Sequence, residues 1–203
     1  MLWIRAVVAA GVTGLLLGAA PPVVAVTIDG GPGDDVLRGT NAGDLIRGHA
    51  GDDVIRSLRG ADRVYGGTGD DDLYLGPNPL LEGPSGDLGF GGPGDDLVSG
   101  GPGFDILVGG PGDDTLVGGP GTNTFEDRAG RDVVVGGPDG DVVYLGSGAD
   151  TVRLGRGSDA VFVGVDGRRD VIRCGPGHDR VYRGDGRDPR DRFVGCEKFS
   201  AHP

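Results

Sequence analysis

The sequence predicts an all-β solenoid, a fold in which short strands stack coil upon coil along one axis. The main observation is a nine-residue block that repeats over nearly all of the chain after residue 29. Within each block an acidic residue and an apolar residue recur two positions apart, after a glycine-rich start. Because both properties stay in phase over so many blocks, each block is interpreted as one turn followed by one short strand.

The block has the pattern GGxGxDxUx, in which U is apolar. From Gly30 the first blocks read GGPGDDVLR, GTNAGDLIR and GHAGDDVIR, and the phase resumes at Glu82 after an irregular segment. The sixth position is acidic in every block from 30 to 162 except at Asn123, and the eighth is apolar except at Gly89.

Elementary geometry explains why this pattern forms a coil. Paired glycines reach backbone conformations that other residues avoid, so they permit a tight turn. The three residues after the acidic position form a short strand whose middle side chain points inward. A nine-residue block is then half a coil, and blocks two apart stack at the sheet spacing of about 4.7 Å.

The turns predict a metal site because they combine carbonyl and carboxylate oxygens, which are the ligands that Ca²⁺ prefers. The expected ligands are the sixth-position carboxylates, with the fifth-position Asp ranked below them. We expect the strongest sites at Asp105 and at the paired positions Asp34/Asp35, Asp52/Asp53, Asp70/Asp71, Asp95/Asp96 and Asp113/Asp114. The full set of predicted ligands is Asp35, Asp44, Asp53, Asp62, Asp71, Asp87, Asp96, Asp105 and Asp114.

The blocks that read GG-x-G-D-D resemble the hemolysin-type (RTX) calcium-binding repeat family, over roughly residues 30–182. The resemblance implies a parallel β-roll in which each ion lies between two stacked turns and shares the Asp of both. The ending Gly195-Cys196-Glu197-Lys198-Phe199 resembles the tail of small secreted bacterial proteins of this kind, which have no catalytic domain.

A ladder of stacked carboxylates repels itself unless cations neutralise it. The predicted core is only two thin rows of Val, Leu and Ile, and a chain with 45 glycines loses much backbone entropy on folding. We therefore expect a chain that is largely disordered without calcium and folds on binding it.

The two halves of the chain differ in charge. Residues 26–126 contain sixteen Asp and two Glu against five Arg, a net charge of −13, whereas residues 127–203 are neutral. In the second half the fifth position carries Arg131, Gly140 or Ala149 rather than Asp. Sites after Asn123 are therefore expected to be weak or empty, and a metal-free solenoid is a stronger alternative there than in the first half.

The first 25 residues are typical of a secretory signal peptide. A basic start ends at Arg5, an apolar stretch covers residues 6–20, and Ala25 offers a cleavage site. A retained membrane anchor is the alternative, although the apolar stretch is short for a span. The predicted organisation is a signal peptide over 1–25, calcium-binding repeats over 26–162, and degenerate repeats with a C-terminal cap over 163–203.

The C-terminal region contains both cysteines of the chain, Cys174 and Cys196. In an exported chain this even count predicts one disulfide, which would close the cap that a solenoid needs at its open end. Two free thiols, or a zinc site with His178, are the alternatives.

The irregular segment Leu75–Leu81 contains Pro77 and Pro79, which cannot donate ladder hydrogen bonds. It is either a shortened coil with Leu80 turned inward or a loop that bulges from the roll. The repeat alone does not decide whether stacking continues through it.

The predicted function is calcium binding by a secreted protein without catalysis, since no catalytic motif occurs outside the repeats. An acidic chain also disfavours nucleic acid as a partner. The alternatives are a cell-surface or matrix interaction module that uses outward residues (Arg38, Arg47, Arg56 and Tyr65) as one face, a metal-free β-solenoid, a flexible acidic linker, and ice binding. Ice binding needs a Thr ladder, and only Thr122 and Thr124 lie close together.

Overall fold

All regular structure in the described part of the chain is β-strand. The computed structural model describes residues 24–78, 86–184 and 188–201. The predicted signal peptide therefore lies outside the described residues except for its last two positions. Within the described ranges, no helix has the length and apolar character needed to cross a membrane.

The strands form two long parallel sheets, and the chain alternates between them. The first sheet contains, in spatial order, β1 (Thr27–Asp29), β3 (Leu45–Ala50), β5 (Arg63–Thr68), β7 (Leu88–Phe90), β9 (Ile106–Val108), β11 (Thr124–Glu126), β14 (Val142–Tyr144), β17 (Ala160–Val163), β19 (Arg180–Arg183) and β21 (Lys198–Ala201). The second contains β2 (Val36–Arg38), β4 (Val54–Arg56), β6 (Asp72–Tyr74), β8 (Leu97–Ser99), β10 (Thr115–Val117), β13 (Val133–Gly137), β16 (Thr151–Gly155), β18 (Val171–Arg173) and β20 (Arg192–Val194). A small third sheet pairs β12 (Ala129–Gly130) with β15 (Ser147–Gly148).

The register follows directly from the nine-residue period. Ile46 pairs with Val64 in the first sheet, and Leu37 pairs with Ile55 in the second, each eighteen residues along the chain. Two blocks thus make one full coil, and the predicted parallel β-solenoid is confirmed. The coil closes because the two strands of each coil belong to opposite sheets.

The core consists of two inward rows, one from each sheet, made of the middle residue of each strand. Ile46, Val64 and Leu107 in the first sheet and Ile55 and Leu116 in the second are fully buried. Most of their neighbours on the same strands are less buried, although Val108 is an exception. In the first half of the chain, the strands of one coil therefore bury at most two or three apolar side chains. Such a thin core explains why the turns matter so much to the stability of this fold.

Stacking continues through the irregular segment. Val64 in β5 pairs with Gly89 in β7, a step of 25 residues instead of eighteen. The extra seven residues therefore extend a single coil without interrupting either sheet. Residues 79–85 lie outside the described part, and so does the expectation that Leu80 turns inward.

Leu75 repairs the core at Gly89, the one block without an apolar eighth residue. Leu75 is fully buried, and a Cβ at Gly89 would lie 2.8 Å from Val98 Cγ1 and 2.9 Å from Leu75 Cδ1. The Leu75 side chain thus fills the volume that the missing side chain leaves. The compensation joins residues from two successive coils, so the sequence repeat alone does not reveal it.

In the second half of the chain, apolar residues replace the first glycine of the block and widen the core. Leu154, Val163 and Cys174 are buried, and Leu145 packs partly buried against the same cluster. Cys174 also forms the predicted disulfide with Cys196, with a Cα–Cα distance of 5.1 Å. The bridge ties the last coils together at the end of the roll, as a cap requires.

The outward arginine row is divided between the two faces of the roll. Arg38 and Arg56 pair in the second sheet, whereas Arg47 and Tyr65 pair in the first. The residues expected to form a single face therefore alternate between opposite faces, because consecutive blocks belong to opposite sheets. This removes the geometric basis for one continuous arginine surface.

Leu75→Ala should destabilise the roll by about 2–5 kcal/mol, because it empties a fully buried site beside a glycine that cannot fill it. Chemical denaturation in saturating calcium measures this loss. Leu97→Ala removes a half-buried outward leucine of β8 and should cost much less. Equal losses for the two variants would contradict the proposed packing role of Leu75.

Candidate metal centre

The turns form two edges of the roll, one on each side of the core. The turn from β1 to β2 contains Asp35, and the turn from β2 to β3 contains Asp44. Successive sixth-position residues then alternate between the two edges. Asp35, Asp53 and Asp71 stack on one edge, since the backbone N–H of each donates to the carboxylate of the next at 2.8 Å. These three carboxylates therefore form one column, one residue per coil.

The paired carboxylates of the sequence all lie on that same edge, which we call the double-Asp edge. GG-x-G-D-D blocks occur at every second turn, and alternate turns share an edge. Asp34, Asp52, Asp70, Asp95 and Asp113 provide its fifth-position residues. The opposite, single-Asp edge has Gly43, Ala61, Gly86 and Phe104 at this position. The two edges therefore differ in charge although their backbones repeat alike.

One oxygen of each sixth-position carboxylate holds two coils together. Asp96 Oδ1 accepts the backbone N–H of Asp71 at 2.8 Å, and Asp114 Oδ1 accepts that of Asp96 at 2.9 Å. The single-Asp edge repeats the arrangement, with the Asp44 N–H donating to Asp62 Oδ1 at 2.7 Å. These bonds satisfy turn amides that the sheets leave free.

The other oxygen of most of these carboxylates is buried and has no hydrogen-bond partner. Among the predicted ligands this holds for Asp53, Asp62, Asp71, Asp87, Asp96, Asp105 and Asp114. A buried carboxylate oxygen without a donor is costly unless a cation or a proton neutralises it. Seven such oxygens, at regular stacked positions and among backbone carbonyls, fit the oxygen ligands that Ca²⁺ prefers.

Asp35 and Asp44, the first two predicted ligands, have a different environment. Gly31 N–H donates to Asp35 Oδ2 at 2.6 Å, and Thr40 N–H donates to Asp44 Oδ2 at 2.5 Å. The Oδ2 atoms of Asp35 and Asp44 each therefore have a hydrogen-bond donor within their own turn. These two positions resemble turn caps more closely than they resemble the open carboxylates of the later coils.

The first glycine of the block keeps space beside the unpartnered oxygen. A Cβ at Gly48, Gly66 or Gly91 would overlap the Oδ2 atom of the Asp five residues later. The first position thus faces the interior of its turn, and the side chain found there decides what occupies that interior. This requirement is steric and separate from the backbone flexibility of glycine.

Fifth-position carboxylates are exposed and stack in the opposite sense. Asp34 Oδ1 accepts the N–H of Asp52, and Asp52 Oδ1 accepts that of Asp70, both at 2.9 Å. They bind the following coil, whereas the sixth-position residues bind the preceding one. Their exposure agrees with ranking them below the sixth position as ligands, and they add negative potential around the buried row.

Asn123 shows how a turn is closed by a neutral side chain. Its amide nitrogen donates to the carbonyl oxygens of Gly119 at 3.2 Å and Gly121 at 3.0 Å. Its Oδ1 still accepts the N–H of Asp105 at 3.1 Å, as a carboxylate would. The Asn123 amide therefore donates hydrogen bonds to two carbonyl oxygens that would otherwise be available to a cation.

Burial is the largest influence on the pKa values of the sixth-position carboxylates. Loss of solvation raises the pKa of Asp71 to about 6, of Asp96 to about 7 and of Asp87 to about 8. Hydrogen bonds from backbone amides of the preceding coil oppose the rise, and neighbouring carboxylates add to it. The folded turns therefore hold carboxylates that strongly favour either protonation or a bound cation.

The second half keeps more of this arrangement than its composition suggests. Unpartnered buried oxygens also occur in Asp127, Asp132, Asp150, Asp159 and Asp179. The signal that points to four of them is the sixth-position acid, which persists after Asn123. Asp127 is different, because it occupies the first position of its block, and a motif search for the sixth position misses it.

These features define a class of protein, the parallel β-roll whose stacked turns bury carboxylates without donors. The model of the RTX calcium-binding nonapeptide repeat matches the chain in four copies, over residues 29–62, 47–77, 90–125 and 128–161. The chain belongs to this family of repeats, and its stacked turns indicate calcium binding. No curated protein matches the chain.

The metal-free roll should become less stable as pH rises from about 4 to 8. Burial raises the pKa values of Asp71, Asp96 and Asp87 above the ordinary value of 3.8 for an Asp carboxyl. The folded state therefore binds more protons than the unfolded chain, and its stability is lost as pH rises through 6 to 8. Circular dichroism of metal-free protein should show more β signal at pH 5 than at pH 8, and a gain of structure with rising pH would contradict the expectation.

Asn123→Asp should make the roll more dependent on calcium. Without the ion it loses two amide hydrogen bonds and gains a buried charge, at a cost of about 1–3 kcal/mol. With calcium the new carboxylate completes the sixth-position row. The difference in Tm between calcium and chelator should therefore exceed that of the parent protein. Asn123→Ala serves as the control, because it loses the same bonds and should be destabilised in both conditions.

Proposed function

We propose that this chain is a secreted calcium-ion-binding repeat protein that folds when Ca²⁺ binds between its stacked turns. The observation that carries the proposal is the row of buried carboxylate oxygens without hydrogen-bond donors. A calcium ion supplies the positive charge that these oxygens lack, and it tolerates the mixture of carbonyl and carboxylate ligands that the turns offer.

The proposed ligands are the nine sixth-position residues named from the sequence. Asp53, Asp71, Asp96 and Asp114 hold ions along the double-Asp edge, and Asp62, Asp87 and Asp105 hold ions along the single-Asp edge. In this proposal Asp35 and Asp44 complete the first turns of the two edges, where each carboxylate exchanges a backbone hydrogen bond for the ion.

Coupling of folding to binding is supported by the charge and the thin core together. Without cations, the folded roll must bury a column of carboxylates on each edge, and each raised pKa measures part of that cost. In the first half of the chain, the strands of one coil bury at most two or three apolar side chains against this cost. Binding energy then becomes folding energy, as in other proteins whose sites exist only in the folded state.

Secretion is supported by the disulfide and by the predicted signal peptide. The Cys174–Cys196 bridge indicates an oxidising compartment. In the proposed organisation residues 1–25 direct export, residues 26–162 form the calcium-binding roll, and residues 163–203 form its cap. Calcium is abundant outside cells, so weak sites can fill there.

The proposed role is structural and includes no catalysis of its own. Stacked RTX repeats form a structural calcium-binding fold that is generally non-catalytic. The periodic carboxylates are explained by ligation, so they require no acid–base function. Calcium is the expected partner.

A calcium titration of metal-free protein followed by far-UV circular dichroism tests this proposal. The expected result is a cooperative gain of β signal that equal magnesium does not produce. Asp96→Asn should shift the midpoint to higher calcium, because Asp96 Oδ2 is buried and unpartnered. Asp72→Asn removes a charge from an outward strand position and should shift it little. A chain that is fully folded without calcium and unchanged by titration would overturn the proposal.

A further inference from the structure

Asp127 is a buried carboxylate at a position where the repeat requires none. It opens the block DRAGRDVVV, in the first position, which is glycine in most other blocks. It lies on the double-Asp edge, between Gly109 in the preceding coil and Leu145 in the following one. Since glycine and leucine both serve at this place in adjacent coils, the fold itself does not demand a charged residue here.

Asp127 lies together with two sixth-position carboxylates from successive coils. One ligand oxygen each from Asp127, Asp132 and Asp150 lies within 4.8 Å of the other two. Their exposed fractions are 3%, 0% and 1%. Within residues 24–78, 86–184 and 188–201, no other group of three or more Asp, Glu, His or Cys side chains comes so close together.

The hydrogen bonds leave one free oxygen on each member of this trio. Gly146 N–H donates to Asp127 Oδ1, Asp114 N–H to Asp132 Oδ1 at 2.7 Å, and Asp132 N–H to Asp150 Oδ1 at 3.0 Å. The Oδ2 atoms of Asp127, Asp132 and Asp150 are buried and have no partner. Each carboxylate is thus held in place by one oxygen and offers the other.

No cationic side chain in the described part of the chain forms an ion pair with the trio. The nearby Arg128 pairs with Glu126 at 3.4 Å on the surface. The charges that act on Asp127 come from Asp150, Asp132 and Asp170, all negative. Three buried carboxylates without a cationic side chain require an external cation or shared protons.

We infer that Asp127, Asp132 and Asp150 form a three-carboxylate site for a hard divalent cation, Ca²⁺ in the first instance. Asp127 lies outside the ligand set of the proposed function, whose members all occupy the sixth position and end at Asp114. A third carboxylate at one site raises the ligand charge, which together with rigidity tunes the affinity of calcium sites. The site therefore binds calcium more tightly than the ordinary turns, within the half of the chain that has no net charge.

Calcium binding to the whole protein and to Asp127→Gly tests the inference by isothermal titration calorimetry. Asp127→Gly restores the usual residue of the block, so the turn should still form, and circular dichroism in saturating calcium verifies this. The parent protein should show one tight site that the variant lacks or binds at least about tenfold more weakly. Asp127→Asn, which keeps the shape and removes the charge, should show the same loss.

Asp139→Asn is the matched control, because it removes one exposed carboxylate from the same half of the chain. It should leave the tight site unchanged. Equal calcium binding by the parent protein and Asp127→Gly would overturn the three-carboxylate site and leave the proposed function intact. Absence of calcium binding by both proteins would overturn the two together. A parallel titration with Mn²⁺ distinguishes calcium preference from general binding of divalent cations.

Discussion

The structure depends on the sixth-position carboxylate, which bridges two coils with one oxygen and leaves the other buried without a donor. The bridging bond, such as that from Asp71 N–H to Asp96 Oδ1, sets the stacking of the turns. In most turns the free oxygen creates a demand for positive charge, whereas the turns of Asp35, Asp44 and Asn123 have no such oxygen. Stability and the proposed calcium binding therefore depend on the same side chain.

The two halves of the chain differ in what lies beside the free oxygen. In the first half, glycine at the first position leaves the interior of the turn open, and fifth-position carboxylates raise the negative potential outside it. In the second half, Leu154, Val163 and Cys174 fill the corresponding interior with apolar volume, and a disulfide constrains the last coils. The sixth-position carboxylates of these turns still have an unpartnered oxygen, as in Asp159 and Asp179. The net charge changes from −13 to zero because the second half has fewer Asp and more Arg.

Much of the fold follows from the sequence, because strict periodicity fixes both register and burial. The eighth-position residues Ile46, Val64 and Leu107 form the core as their spacing predicts. The packing of the Leu75 side chain beside Gly89 was not predictable, since it depends on how the irregular segment rejoins the stack in three dimensions. The sequence also predicted a row of carboxylates, but it did not distinguish Asp35 and Asp44, whose second oxygens are satisfied by their own turns.

The residue at the first position of the block accounts for most of the differences between the turns. It faces the free carboxylate oxygen, so its side chain determines what lies beside that oxygen. Glycine leaves room for an ion, leucine substitutes an apolar contact, and Asp127 brings a further ligand to the turn. At the sixth position, Asn123 removes the need for a cation, because its amide donates hydrogen bonds directly to the turn carbonyls. A repeat with constant backbone geometry can thus vary its dependence on cations, coil by coil, through single residues that point into the turn.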